Sequence, residues 1–109
     1  MDVSDLLKEY VAGKRDFSGV NLSGLDLHGL DLCGVDLCGA KLLNTNLTRT
    51  TLCLAHLNGA VLTEADLRKA NLSGAKLRGA DLYKANLDEA DLTAADLSGA
   101  TMPNGLIHI

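Results

Sequence analysis

The chain has 109 residues, with ten Lys and Arg against fourteen Asp and Glu for a formal net charge of −4. Hydrophobic residues make up 47% of it but aromatics only 3%. That length bounds one domain. The acidic balance and the shortage of aromatic stacking platforms argue against a nucleic-acid binder.

The chain opens on Asp2, Asp5 and Glu9 instead of a basic n-region, and no apolar run is long enough to span a bilayer. The expected address is therefore the cytoplasm, with reduced thiols and no membrane contact. Residues 4–12 predict a short helix. Ser4 is the expected N-cap and Gly13 the stop, and Leu6, Leu7, Tyr10 and Val11 form the expected apolar stripe. Its job would be to cover the open end of the segment behind it.

From residue 17 onward a leucine occupies nearly every fifth position. The series runs Phe17, Leu22, Leu27, Leu32, Leu37, Leu42, Leu47, Leu52, Leu57, Leu62, Leu67, Leu72, Leu77, Leu82, Leu87, Leu92, Leu97 and Met102. On an α-helix such a series spirals around the axis and buries no face. On a straight strand an odd spacing flips successive leucines to opposite faces. The period works only if the chain turns a corner in every repeat. With leucine as position i, i−2 (mostly Ala) and i point inward, i−1 points outward, and i+1 and i+2 make the corner. Stacked turns then bury leucine and alanine in a narrow, side-chain-filled column, the logic of a solenoid.

Two tests count the sides. At a spacing of 20, position i+2 gives an all-glycine column: Gly19, Gly39, Gly59, Gly79 and Gly99. At 15 the same test mixes glycine with Arg49 and Glu64. A spacing of 20 also sets Glu64 against Lys84, Arg68 against Asp88, Lys69 against Glu89 and Lys76 against Asp96. Like charges stack only at Asp16/Asp36 and Arg49/Lys69, whereas at 15 like-charge pairs prevail, which is unfavourable. Four sides is the better reading, and the glycine column predicts type II turns.

The motif A-(D/N)-L-x-x, as in Ala65-Asp66-Leu67-Arg68-Lys69 and Ala80-Asp81-Leu82-Tyr83-Lys84, resembles the pentapeptide-repeat family over residues 15–104, eighteen consecutive repeats. The resemblance implies an all-β solenoid, a right-handed quadrilateral parallel β-helix of about 4.5 coils. Residues 1–18 look like the helical lead-in of small cyanobacterial members, with residues 1–14 as the N-terminal helical cap. Residues 105–109 are left as a C-terminal tail. Pro103 and Asn104-Gly105 stop the pairing, and Leu106, Ile107 and Ile109 then either fold over the last coil or meet a second molecule. A monomer, or a weak dimer through this end, is expected.

Candidate chemistry is sparse. Cys33 and Cys53 should stack one coil apart, with Cα atoms ~4.8 Å apart. Parallel in-register side chains suit a disulfide poorly, so plain thiols are expected. Cys38 and His28 lie on other sides, too spread to close a zinc site. His56, between Asp36 and Lys76, has no nucleophile or pocket beside it. No catalytic, cofactor or metal site and no small-molecule substrate is expected. Charge, by contrast, is banded. Residues 16–36 carry four Asp and no base, residues 41–84 seven bases against three acids, and residues 85–109 four acids and no base. Arg49, Arg68 and Lys69 should share one corner, a candidate contact surface along with Leu106 and Ile107. Leu43 and Leu54 should be outward. These features point to a non-catalytic structural or interaction protein with a protein partner, acting through rigid charged faces. The family resemblance adds an alternative, a DNA mimic that binds DNA gyrase. The short length and basic middle band depart from that pattern.

Overall fold

The structure, a computed structural model, describes all 109 residues. Every parallel bridge joins residues 20 apart, from Asp16 with Asp36 to Asp81 with Thr101. Four five-residue sides therefore close one coil, and the chain is a right-handed quadrilateral β-helix. Together with the cap and tail it measures 37 × 24 × 23 Å.

Each repeat spends its backbone groups in the same way. The N–H of the leucine donates to the coil above, as in Leu42 to Val61 O at 2.7 Å. The N–H of i−1 donates to the coil below, as in Lys41 to Val20 O at 2.9 Å. The corner closes on itself, Ala40 N–H to Leu37 O at 3.0 Å. Its third residue has positive φ, which a type II turn requires. Along the glycine column φ is 66–72°. Eight non-glycine residues, Arg49, Leu54 and Lys69 among them, hold 54–60° at the equivalent place. The Asp or Asn at i−1 also has a local task. Its Oδ1 accepts the N–H two residues on, as in Asp36 from Cys38 at 3.0 Å and Asn71 from Ser73 at 3.0 Å. That bond satisfies a corner donor the ladder does not reach.

The leucine column is buried from Phe17 through Leu82, with alanines beside it. Leu87, Leu92, Leu97 and Met102, which the period places in the core, are only half-buried. They belong to the last turns, on which no further coil stacks. Thr45 and Thr50 replace alanine at i−2. They stay buried because their hydroxyls donate to Leu22 O and Leu27 O in the coil below, at 3.0 and 2.9 Å.

Helix α1 spans Val3–Val11. Its N-cap is Asp2, not Ser4: the Asp2 carboxylate accepts the Asp5 N–H at 2.8 Å, so the helix starts earlier than the sequence suggested. It ends at Gly13 (φ 104°), with Gly13 N–H bonded to Tyr10 O and Lys14 N–H to Glu9 O, the paired bonds of a Schellman stop. Leu6 is fully buried, with Tyr10 and Val3 packed beside it. Val11, expected in the stripe, is 81% exposed. It sits about 140° round the helix from Leu6, whereas Val3 falls within about 60° of it and takes the inward place. Leu7 lies at the edge, half-buried, and lines a surface groove with Val3, Ser4, Lys8 and Val11.

The cap also completes the ladder. In every later coil the carbonyl at i+1 accepts an N–H from the coil beneath, as Cys53 O does from Gly34. Cys33 O has no coil beneath it and accepts the Tyr10 hydroxyl instead, at 2.8 Å. Arg15 stacks on the Tyr10 ring at 3.7 Å and bonds Tyr10 O, fixing that ring. Tyr10→Phe is expected to lower stability by about 0.5–1.5 kcal/mol in urea titration, since it removes this one bond and little packing.

At the far end the chain reverses through Met102-Pro103-Asn104-Gly105, with positive φ now at Gly105. Ile107 forms an antiparallel bridge with Thr101. Gly99 N–H donates to His108 O and Met102 N–H to Leu106 O, each at 2.8 Å. The tail thus folds back on its own last coil, while Leu106 and Ile107 stay 67% and 60% exposed.

Candidate functional site

The column presents its chemistry on the outside. Arg49, Arg68 and Lys69 meet at one corner, where with Thr48 they line a shallow cleft of about 200 Å³. The neutralising partners differ from the stacking expectation. Arg68 does not reach Asp88. It grips Asp66 of its own repeat, Nε to Oδ1 at 2.9 Å and Nη2 to Oδ2 at 2.7 Å. Positions i−1 and i+1 lie on one level, so a guanidinium reaches its own carboxylate with both edges and need not climb a coil. Asp96, by contrast, is reached from the coil below, by Arg78 at 3.3 Å in place of Lys76. Glu64 and Lys84 form no ion pair, and Lys84 lies over the Tyr83 ring instead. Of the expected stacks only Lys69 with Glu89 forms, at 3.6 Å. Arg49 has no carboxylate within 4.0 Å, and neither do Lys41, Lys76 and Lys84. The middle band therefore keeps four unpaired cations between two acidic ends.

His56 sits between Asp36 and Lys76 in the ladder, and His28 pairs with Asp26 at 2.6 Å. No group of three or more His, Cys, Asp or Glu is placed to hold a metal ion. No helix is long and apolar enough to cross a membrane. Leu43 and Leu54 are outward, 37% and 62% exposed, on different sides of the column. Leu54 lies across Gly74 one coil up, where a Cβ would meet its Cδ2 at 2.8 Å.

The cysteines overturn an expectation. The structure joins Cys33 to Cys53 as a disulfide, with Cα atoms 4.8 Å apart. The ladder fixes that separation, which lies within the range a disulfide spans, so in-register side chains do not forbid the bond. The 20-residue spacing was the signal. Cys38 is free, and its thiol pKa is raised by burial and by a hydrogen bond to Asp36.

Several carboxyls are held below their usual range, each first by a hydrogen bond to its side chain. The donors are Ser18 for Asp16, His28 for Asp26, Arg68 for Asp66, Thr93 for Asp91 and Ser98 for Asp96. A carboxyl whose pKa is lower folded than unfolded contributes stability above its unfolded pKa and loses it as pH falls through the folded one. The melting temperature should hold level from about pH 7 to 5 and fall below about pH 4, read by circular dichroism.

Among protein families, pentapeptide repeats match this chain in eight copies, over residues 16–53, 49–82 and 70–104. None of the curated protein sequences matches the chain. Among solved structures it is similar to alr5209, a pentapeptide repeat protein from Nostoc Pcc 7120. The two are 39% identical with a TM-score of 0.62, over 91% of this chain and 78% of that one. It is also similar to AT2G44920, a pentapeptide repeat protein from the Arabidopsis thaliana thylakoid lumen, at 29% identity and TM-score 0.55 over 85% of this chain and 68% of that one. A third likeness is to QnrB1, a plasmid-mediated fluoroquinolone resistance protein. Here identity is 22% and TM-score 0.64, over 80% of this chain and 51% of that one, which shows the fold alone. With its repeats matched from residue 16 to 104 and its coils closed every 20 residues, the chain belongs to the pentapeptide-repeat family.

Proposed function

We propose that this is a non-catalytic interaction protein that docks a protein partner through its banded charged faces. One observation carries the reading: a rigid column filled by its own leucines holds a basic middle band, with Lys41, Arg49, Lys76 and Lys84 unpaired, between acidic ends. Each exposed pair with a partner contributes only about 0–1 kcal/mol. Recognition would therefore come from the pattern, through steering and exclusion of wrong partners. The test is affinity capture from the source organism with the wild type and with the triple variant Lys41→Glu, Arg49→Glu, Lys84→Glu. A protein held by the wild type and released by an equally stable variant supports the reading. The same proteins on both, or none on either, overturns it.

The gyrase-binding alternative draws support from the 23–24 Å width of the column. Duplex DNA, however, carries negative charge evenly along its length, while here residues 41–84 carry seven bases against three acids and the net negative charge falls at the ends. Micromolar protein that leaves gyrase supercoiling unchanged would dispose of this alternative.

A further inference from the structure

We propose that Cys33 and Cys53 are a reversible thiol–disulfide site whose oxidation staples the first coil to the second and thereby secures the cap helix. Three observations lead there. First, the ladder holds the two Cα atoms 4.8 Å apart without help from sulfur: Leu32 N–H reaches Thr51 O at 2.8 Å and Gly34 N–H reaches Cys53 O at 2.9 Å. The coil thus presents the pair ready to bond, and dithiol and disulfide fit the same backbone.

Second, both cysteines sit at outward corners and are only half-buried, open to a reagent. Cys38, although also only half-buried, lies beside Asp36 and Asp16, where burial and negative charge disfavour its thiolate. Twenty residues either side of Cys38 stand Ser18 and Asn58, so the ladder gives it no cysteine to pair with, and intramolecular exchange falls to Cys33 and Cys53.

Third, the bridge crosses the interface that needs it most. A solenoid is held by contacts between neighbouring coils, so its end coil frays first. The first coil has only α1 beneath it, and α1 hangs on the Cys33 carbonyl through Tyr10. A covalent link at Cys33 therefore holds the coil to which the cap is tied.

The reaction partner is a disulfide-bearing oxidant. One cysteine thiolate attacks a sulfur of the oxidant, forms a mixed disulfide and expels the first thiolate. The second cysteine thiolate attacks the protein-bound sulfur, forms the Cys33–Cys53 bond and expels the second. Two electrons pass to the oxidant, and the two cysteine protons end on the two released thiols. A dithiol reductant runs the sequence backwards.

The experiment uses the full chain equilibrated with oxidised glutathione or with dithiothreitol in mildly alkaline buffer. Thiols are counted by alkylation after unfolding, and amide hydrogen exchange is read by NMR. Oxidation should leave only the Cys38 thiol to alkylate, and reduction should leave all three. Oxidation should slow exchange at Leu22, Leu27 and Leu32 by about tenfold or more, while Leu62, Leu67 and Leu72 change by less than about twofold. Cys33→Ser should abolish the redox dependence and Cys38→Ser should keep it. Three free thiols in oxidised glutathione, equal slowing in every coil, or redox dependence persisting in Cys33→Ser would each overturn the proposal.

Discussion

Leu72→Ala is expected to lower the unfolding free energy by about 2–5 kcal/mol. Leu72 is fully buried in the middle of the column, with Leu52 one coil below and Leu92 one coil above on the same side. The neighbours cannot collapse into the gap, because each leucine sits on a turn whose backbone is pinned above and below. Leu72 N–H to Asp91 O is 2.8 Å and Asn71 N–H to Thr50 O is 3.0 Å. The removed methyl groups therefore leave a cavity, and the cost should sit high in that range. Leu92→Ala is the control. Leu92 is half-buried and no coil covers it, so its loss should cost clearly less. Urea titration of both variants decides the matter, and equal losses would mean that the end coil is packed as tightly as the middle.

The contrast between those two leucines marks where the sequence was readable. A period of five could be satisfied only by a corner in every repeat, and Gly19, Gly39, Gly59, Gly79 and Gly99 fixed the count at four sides, because only that spacing stacked them. Both inferences rest on the backbone, and the backbone repeats. The less legible features depend on side chains with a choice. Arg68 could reach Asp88 one coil up or Asp66 on its own level, and the nearer bidentate grip won. Cys33 and Cys53 were read as thiols because their side chains run parallel, yet the coil pitch sets their Cα distance within bonding reach. The ends were hardest, because there the repeat stops constraining anything. Asp2 displaced Ser4 as the cap, Val3 displaced Val11 on the inward face, and the tail met the last coil as an antiparallel bridge that no repeat position foretold.

Ala65→Leu is expected to destabilise the protein by about 1–3 kcal/mol, although it adds apolar surface. Below Ala65, the same inward column holds Thr45 and then Leu25, and above it Ala85. Leu25 is tolerated because the first coil rests on α1 alone and leaves its side chain half-buried. By Thr45 the column is closed, at 1% exposure, and only a hydroxyl fits, donating to Leu22 O. Ala65 has a coil on either side and no room to lean, so a larger side chain must push the coils apart. Separating them stretches the ladder bonds of that side, Asp66 N–H to Thr45 O and Leu67 N–H to Asn86 O. Ala95→Leu offers the comparison, because Ala95 is half-buried against the uncovered last coil. There the added leucine should cost little or even stabilise. A chemical-denaturation pair in which Ala65→Leu were neutral would show that the interior is wider than the buried alanines imply. The alanine in the repeat would then reflect something other than the bore of the column.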